Sequence, residues 1–225
     1  MSKAARHNDA AVIRAAARPI TDSAAYDPLV KLAGEAQCVL IGEASHGTHE
    51  FYETRAQLTK GLIQEKGFRA VALEADWPDT FRVHRFVTGR GEDRNANDAL
   101  SDFRRFPGWM WRNTVMIEFV EWLRAWNAER SVKEGLAGIY GLDLYSMHTS
   151  IEAVLGYLDK VDPLSARRAR YRYGCFDHFG EDPQDYGLAT VAGGAEPCEN
   201  EVIDQLIELR RKYGELIGRN GHIGE

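Results

Sequence analysis

The chain has 225 residues, of which 44% are hydrophobic and 28% are charged, and its formal net charge is −6. This length suits one large domain or two small ones, each with a buried core. The acidic balance argues against binding to nucleic acid, which requires a basic surface. No apolar stretch approaches the roughly 20 residues of a membrane-spanning helix, so we expect no membrane partner.

The elements alternate between apolar runs of strand length and amphipathic helical segments. In chain order they are a helix at 26–36, a strand at 38–41, a helix at 50–66, a strand at 68–73, helices at 77–87 and 114–130, a strand at 136–142, and helices at 150–160 and 202–217. This order predicts an α/β fold with a parallel-type central sheet flanked by helices, with helical insertions. The turn-rich segment 171–198 has no predicted element.

The three cysteines, Cys38, Cys175 and Cys198, are odd in number and widely spaced. They match neither a paired zinc motif nor the disulfide framework of small secreted proteins. The N-terminal segment contains no apolar core of signal-peptide length. We therefore expect reduced thiols and a cytoplasmic location.

Polar side chains follow each of the three predicted strands. Glu43 and His46 come directly after the first strand. Glu74 ends the second strand, and Asp143 ends the third. Because the carboxyl ends of parallel strands meet at one edge of a sheet, we expect these side chains to lie close together. A single polar residue in such a place commonly caps a helix, but three acids and a histidine favour a functional site.

Arg55 lies within the apolar stripe of the predicted helix 50–66. A guanidinium that points toward a core requires a carboxylate partner, because an unpaired buried charge is very costly. Glu43 and Glu74 are the candidates. The alternative is an arginine whose stem is buried while its charged head reaches solvent.

Together these residues suit the hydrolysis of an ester without a covalent intermediate. A carboxylate such as Glu43 orients the imidazole of His46, which then removes a proton from water. Arg55 can stabilise the oxyanion that develops during attack. The predicted partner is therefore a small-molecule ester, and no cofactor is required.

Two other interpretations use the same stretch. Ser45-His46-Gly47 resembles the second half of a G-x-S-x-G nucleophile elbow, but Glu43 stands where that motif requires a small residue. Glu43, His46 and His49 form E-x-x-H-x-x-H and provide three ligands for a divalent metal. That spacing differs from the H-E-x-x-H motif of metalloproteases, so a metal site stays an alternative.

Five stretches resemble the erythromycin esterase family, and the similarity runs from about residue 11 through nearly the whole chain. They are VLIGEASHGTHEFYETR, GFRAVALEADWP, FPGWMWRNTVMIEFVEWLRAWN, GIYGLDLYSMHTSI and CFDHFGEDPQDYG. The resemblance implies an α/β core with a deep cleft and hydrolysis of a macrolide lactone, a reaction of antibiotic resistance. The general base of the family matches His46, its cleft carboxylates match Glu43 and Glu74, and its arginine matches Arg55. Metal dependence stays open.

Members of this family are longer than the present chain and have a further active-site histidine in their C-terminal part. We therefore expect residues 1–225 to be the N-terminal portion of a single domain that lacks its C-terminal half. Asp143 and Tyr145 are expected to contact substrate. A non-catalytic binding module for a large apolar ligand is the alternative function, and the sequence gives no indication of oligomeric state.

Overall fold

The computed structural model describes residues 3–17, 19–20, 22–104, 108–131, 134–143, 146–177, 183–193 and 198–220. The helices are α1 (Lys3–Ala16), α2 (Asp27–Leu32), α3 (His49–Lys66), α4 (Trp77–Val87), α5 (Ala96–Ala99), α6 (Thr114–Ala128), α7 (Met147–Val161), α8 (Pro163–Tyr173), α9 (Pro183–Val191) and α10 (Glu199–Asn220). The strands are β1 (Ala70–Asp76) and β2 (Gly138–Asp143). None of the described helices has the length and apolar character required to cross a membrane.

β1 and β2 pair in parallel as a small sheet. At the start of this pairing the backbone N–H of Gly138 donates to the carbonyl of Arg69 over 2.8 Å. Farther along, Gly141 passes so close to β1 that a Cβ there would lie 2.5 Å from the carbonyl oxygen of Ala75. Only glycine fits this position. The predicted α/β class is confirmed, although helices dominate the chain.

The predicted strand at 38–41 is wrong. These residues form no strand, and the side chain of Leu40 is 92% exposed. An apolar run becomes a strand only when a neighbouring strand accepts and donates its ladder hydrogen bonds. Among the described residues, β1 pairs with β2 and neither of them pairs with this segment.

The other strands and helices lie close to their predicted positions, with shifted ends. β1 extends to Asp76 rather than ending at residue 73, and β2 begins at Gly138. α2 is shorter than the predicted helix 26–36, chiefly because it ends at Leu32, before a turn in which Gly34 has φ of +54°. α9 lies within the segment 171–198, for which the sequence predicted no element.

The chain divides into two compact units, and each is described by itself. The first unit comprises Met1–Val71 and Arg82–Ile139, and the second comprises Ala72–Phe81 and Tyr140–Glu225. The prediction that residues 1–225 are one portion of a larger single domain stays a prediction.

The core of the first unit includes α3 and α6, which pack against each other. α6 begins where the side chain of Asn113 accepts a hydrogen bond from the N–H of Met116 over 2.9 Å. Its buried face repeats at helical spacing and comprises Val115, Met116, Phe119, Val120 and Leu123. Asn127 near its end is 4% exposed, and its amide donates to the carbonyls of Val87 and Ala137 over 2.8 Å each.

The second unit has its own small core around Leu158, Ala166 and Ala169, which are completely buried between α7 and α8. Leu209 of α10 packs against this cluster. Beside it, the carboxylate of Glu208 joins two helices, because Arg168 and Arg172 of α8 both donate to it, over 2.6 and 2.7 Å.

A disulfide corrects the expectation of reduced thiols. Cys175 and Cys198 are bonded to each other, with Cα atoms 6.1 Å apart and a sequence separation of 23. Two cysteines this far apart in sequence form no recognisable motif, so their pairing depends on how α8 and α10 meet. Cys38 is free and exposed. The cytoplasmic location stays a prediction.

Candidate active site

The turn between residues 43 and 48 carries the candidate residues and leads directly into α3, with Thr48 at its N-cap. Gly47 in this turn has φ of +84°, a left-handed conformation that strongly favours glycine. A Cβ on Gly47 would also lie 3.0 Å from Cζ3 of Trp109. Both constraints fix the path of the turn, and therefore the place of His46 beside it.

His46 contacts Glu43 through its Nδ1 atom, which meets Oε1 of the carboxylate. The carboxylate is largely buried, with 9% of its side chain exposed, whereas 45% of the His46 side chain is exposed. A neutral imidazole that donates Nδ1–H to a carboxylate has its lone pair on Nε2. In that tautomer Nε2 can accept a proton, as a general base must.

Arg55 pairs with the other oxygen of the same carboxylate. Its Nη2 atom lies 2.8 Å from Oε2 of Glu43. The angles fall outside those of a hydrogen bond, so the contact is an electrostatic one between opposite charges. Of the two partners that the sequence offered Arg55, the structure pairs it with Glu43, and the Arg55 side chain is 21% exposed.

Tyr52 contacts Arg55 of this pair and was not among the site residues predicted from the sequence. It is 5% exposed, and the Arg55 guanidinium carbon lies 4.6 Å above its ring centroid, a cation–π contact. Trp111 packs against the same ring edge to face, with centroids 6.3 Å apart. Burial raises the pKa of Tyr52, and the charge of Glu43 raises it further. The helical spacing of Tyr52 and Arg55 on α3 could have indicated this contact.

A cavity of about 450 Å³ adjoins the site, within the range of small-molecule pockets. Its described lining comprises His46, Gly47, His49, Tyr52, Trp109 and Asn113. His46 and Asn113 provide polar groups, and Trp109 provides a half-exposed aromatic face. The cavity can therefore hold an organic molecule against the exposed side of the imidazole.

Three further predicted site residues belong to the second unit. Glu74 lies on β1, in the second unit, and its side chain is exposed. Asp143 ends β2, but its side chain lies outside the described residues, as does all of Tyr145. The roles of these three residues stay predictions.

In the part of the chain that the structure describes, the metal alternative has no assembled ligand set. Nε2 of His49 lies 3.9 Å from Oε2 of Glu53, and the His49 side chain is 63% exposed. Within the described ranges, no three His, Cys, Asp or Glu side chains are grouped so that they could hold a metal ion. His49 lines the same cavity as His46 but does not meet Glu43 in this arrangement.

The nucleophile alternative lacks a base at Ser45. The Ser45 hydroxyl lies 3.0 Å from the hydroxyl of Thr48. Among the described residues, its hydrogen bonding is confined to this start of α3 and includes no histidine. A serine nucleophile requires a base within hydrogen-bond reach.

Comparison with known proteins supplies a second line of information. The family profile "Erythromycin esterase" matches residues 63–224. Erythromycin esterase type II of Escherichia coli is 28% identical over 114 residues, which are 51% of this chain and 26% of that protein. The profile match begins after the segment 43–55, so it does not bear on Glu43, His46 or Arg55 directly.

Two solved structures share the fold. A succinoglycan biosynthesis protein aligns with a TM-score of 0.63 and 24% identity, over 83% of this chain and 47% of that one. A mutant of the erythromycin esterase EreC in its open conformation aligns with a TM-score of 0.57 and 17% identity, over 88% of this chain and 47% of that one. The chain thus spans less than half the length of each of these relatives.

Proposed function

The chain belongs to the erythromycin esterase family, and on that premise we propose that it hydrolyses carboxylic esters with His46 as the general base. The observation that carries the proposal is the contact between Nδ1 of His46 and the buried carboxylate of Glu43, at the wall of a cavity. A neutral His46 that donates Nδ1–H to Glu43 presents the Nε2 lone pair as the proton acceptor.

The reaction proceeds by direct attack of water. Nε2 of His46 removes a proton from a water molecule as its oxygen forms a bond to the ester carbonyl carbon. The tetrahedral intermediate then collapses, the bond to the alkoxy oxygen breaks, and His46 returns the proton to that leaving oxygen. Glu43 stabilises the imidazolium that forms between these two steps, so the protons balance and no covalent enzyme intermediate arises.

Arg55 holds Glu43 in place through its contact with Oε2. Because this pairing occupies the guanidinium, an orienting role is better supported than direct stabilisation of the oxyanion. Its side chain is 21% exposed, so Arg55 could also interact with a developing negative charge. Replacement by lysine, which keeps the charge but loses the planar fork, separates the two roles.

A macrolide lactone is the substrate to examine first, because the family relatives include erythromycin esterases. Hydrolysis of the lactone adds one water to the mass of erythromycin without releasing a fragment. The test is mass spectrometry of erythromycin and of simple aryl and alkyl esters after incubation with the wild-type chain and with His46→Ala. If the wild type hydrolyses none of these esters, the proposal fails.

Intact-protein mass spectrometry during turnover separates this mechanism from a serine nucleophile. Direct attack by water predicts an unmodified protein at all times. An acyl adduct that disappears in Ser45→Ala would instead establish covalent catalysis at Ser45.

A further inference from the structure

A second cavity lies in the first unit, with a volume of about 440 Å³. Its described lining includes an apolar part, Leu100, Phe103 and Ile117, together with Trp109, Arg104 and Arg112. Leu100 and Phe103 are buried, at 2% and 7% exposure, so they belong to the fixed core of the unit. The cavity therefore combines a rigid apolar floor, an aromatic face and two cations.

The described residues provide no carboxylate partner for the two guanidinium groups. None of their carboxylates lies within ion-pair distance of Arg104 or Arg112. The acids nearest in sequence to Arg104 are already paired: Asp98 meets Arg94 at 3.0 Å, and Asp102 meets Arg82 at 2.6 Å. One N–H of Arg104 donates to the backbone carbonyl of Ser101 over 3.4 Å. The described lining of the cavity is therefore positively charged.

Trp109 joins this cavity to the candidate active site, because it lines both. Its ring lies against Gly47, in the turn that presents His46. The adjacent residues Arg112 and Asn113 also connect the two cavities, because Arg112 lines the second cavity and Asn113 lines the first. A molecule held at His46 can thus extend past Trp109 toward the two arginines.

We propose that the second cavity is an oxyanion subsite, and that the preferred substrates are esters that carry a carboxylate on a flat apolar body. This inference rests on the proposed ester hydrolysis at His46 and specifies its substrate class. Guanidinium groups bind carboxylates with paired hydrogen bonds, and Trp109 with the apolar floor accommodates the body that joins the carboxylate to the ester. An ester that carries a protonated amine, erythromycin included, is repelled by the same two charges and should therefore be a poorer substrate than an anionic ester.

The test uses three methyl esters of one shape: monomethyl terephthalate, which is an anion, methyl 4-methylbenzoate, which is neutral, and methyl 4-(aminomethyl)benzoate, which is a cation. Each kcat/KM is divided by the rate constant for hydrolysis by hydroxide, which removes differences in intrinsic reactivity. We expect the anion to exceed the cation by about tenfold, the size of two partly exposed charge interactions. The preference should shrink in about 1 M salt, where screening shortens to about 3 Å.

In the double variant Arg104→Gln/Arg112→Gln, the normalised kcat/KM values of the anionic and cationic esters should differ by no more than about twofold. Arg85→Gln/Arg90→Gln is the matched control, because it also removes two arginines from the first unit but neither from the lining of the cavity. It should keep the wild-type ratio. Equal kcat/KM values for anion and cation in the wild type, or an unchanged ratio in the double variant, would overturn the subsite.

A binding experiment tests the oxyanion subsite independently of ester hydrolysis. The indole N–H resonance of Trp109, assigned with Trp109→Phe, is followed while 4-methylbenzoate or 4-methylbenzylammonium is added to the wild-type chain. If no ester is hydrolysed, the proposed function fails, yet saturable binding of the anion alone, lost in the double variant, supports the subsite. No response to the anion, or an equal response to both ions, contradicts it.

Discussion

The guanidinium carbon of Arg55 lies 4.6 Å from the centroid of the Tyr52 ring, and both residues belong to α3. The Nη2 atom of the same guanidinium lies 2.8 Å from Oε2 of Glu43. The ring limits the directions in which Arg55 can point, and the carboxylate fixes the direction that remains. The same carboxylate meets His46 through its other oxygen. The orientation of His46 thus depends on a series of contacts from the buried Tyr52 ring through Arg55 to Glu43.

Replacement of Arg55 by Met should lower both activity and stability. It leaves the largely buried carboxylate of Glu43 without its counter-charge, at an expected cost of about 1–3 kcal/mol in the free energy of unfolding. The turnover number should fall by about 10²-fold because Glu43 no longer holds the imidazole. Urea unfolding and ester kinetics measure the two effects. An unchanged kcat would show that the pairing does not orient His46.

Gly47→Ala should destabilise the turn that carries His46. A left-handed backbone costs a residue with a Cβ about 1–2 kcal/mol, and the new methyl group would press on Trp109. Gly156→Ala is the matched control, since Gly156 lies within α7 and no neighbouring atom comes within 4 Å of the place its new methyl group would take. That change should stabilise α7 by about 0.5–1 kcal/mol. Equal effects of the two changes on unfolding would contradict the strained turn.

The second unit should lose stability in acid. Hydrogen bonds from Arg168 lower the pKa of Glu208 to about 2, and contacts from Arg172 and Lys212 lower it as well. Because the folded pKa lies below the unfolded value of about 4.5, the stabilisation is complete above that value and is lost as the pH falls toward 2. Its upper limit is about 3 kcal/mol, which screening by solvent reduces.

Unfolding by urea at several pH values between 6 and 2 tests this, with fluorescence as the signal. In Glu208→Gln, the contribution of this carboxyl to the pH dependence of the free energy of unfolding should disappear. The variant should already be less stable than the wild type at neutral pH. A wild-type stability that stays constant down to pH 2 would contradict the assignment. Asp162, whose pKa is also lowered by Ser165 and Lys212, contributes a second loss at more acidic pH.

Reduction of the bond between Cys175 and Cys198 should destabilise the second unit. Closing a loop of this size restricts the unfolded chain, and the expected loss is about 3 kcal/mol. The Cys175→Ser/Cys198→Ser variant should show the same loss and become insensitive to reductant, whereas Cys38→Ser should keep the wild-type response. If reductant leaves the unfolding curve of the wild type unchanged, the disulfide makes no contribution to stability.

Local features were predictable from the sequence, and long-range ones were not. α3 with its cap at Gly67, and α6 with its buried face, follow from spacing and capping residues alone. A carboxylate partner for Arg55 was expected because a charge within an apolar stripe requires one, but the sequence left Glu43, Glu74 and solvent as alternatives. The approach of Trp109 to Gly47 joins segments far apart in the chain, and no local pattern encodes it.

The error at residues 38–41 has the same origin. The apolar run fitted a buried strand, but strand formation depends on a neighbour that the pattern cannot supply. The disulfide and the second cavity likewise depend on which segments meet. Glu74, by contrast, was correctly placed on a strand, and only its relation to the site stays a prediction.

The most direct test of the central claim compares the rates at which wild-type chain and His46→Ala hydrolyse esters, with erythromycin and the three methyl esters as substrates. Ser45→Ala serves as the control, since its hydroxyl contacts only Thr48 among the described residues. We predict that wild type and Ser45→Ala add one water to at least one of these esters, and that His46→Ala is slower by about 10²–10⁴-fold. Equal rates in wild type and His46→Ala would contradict the account.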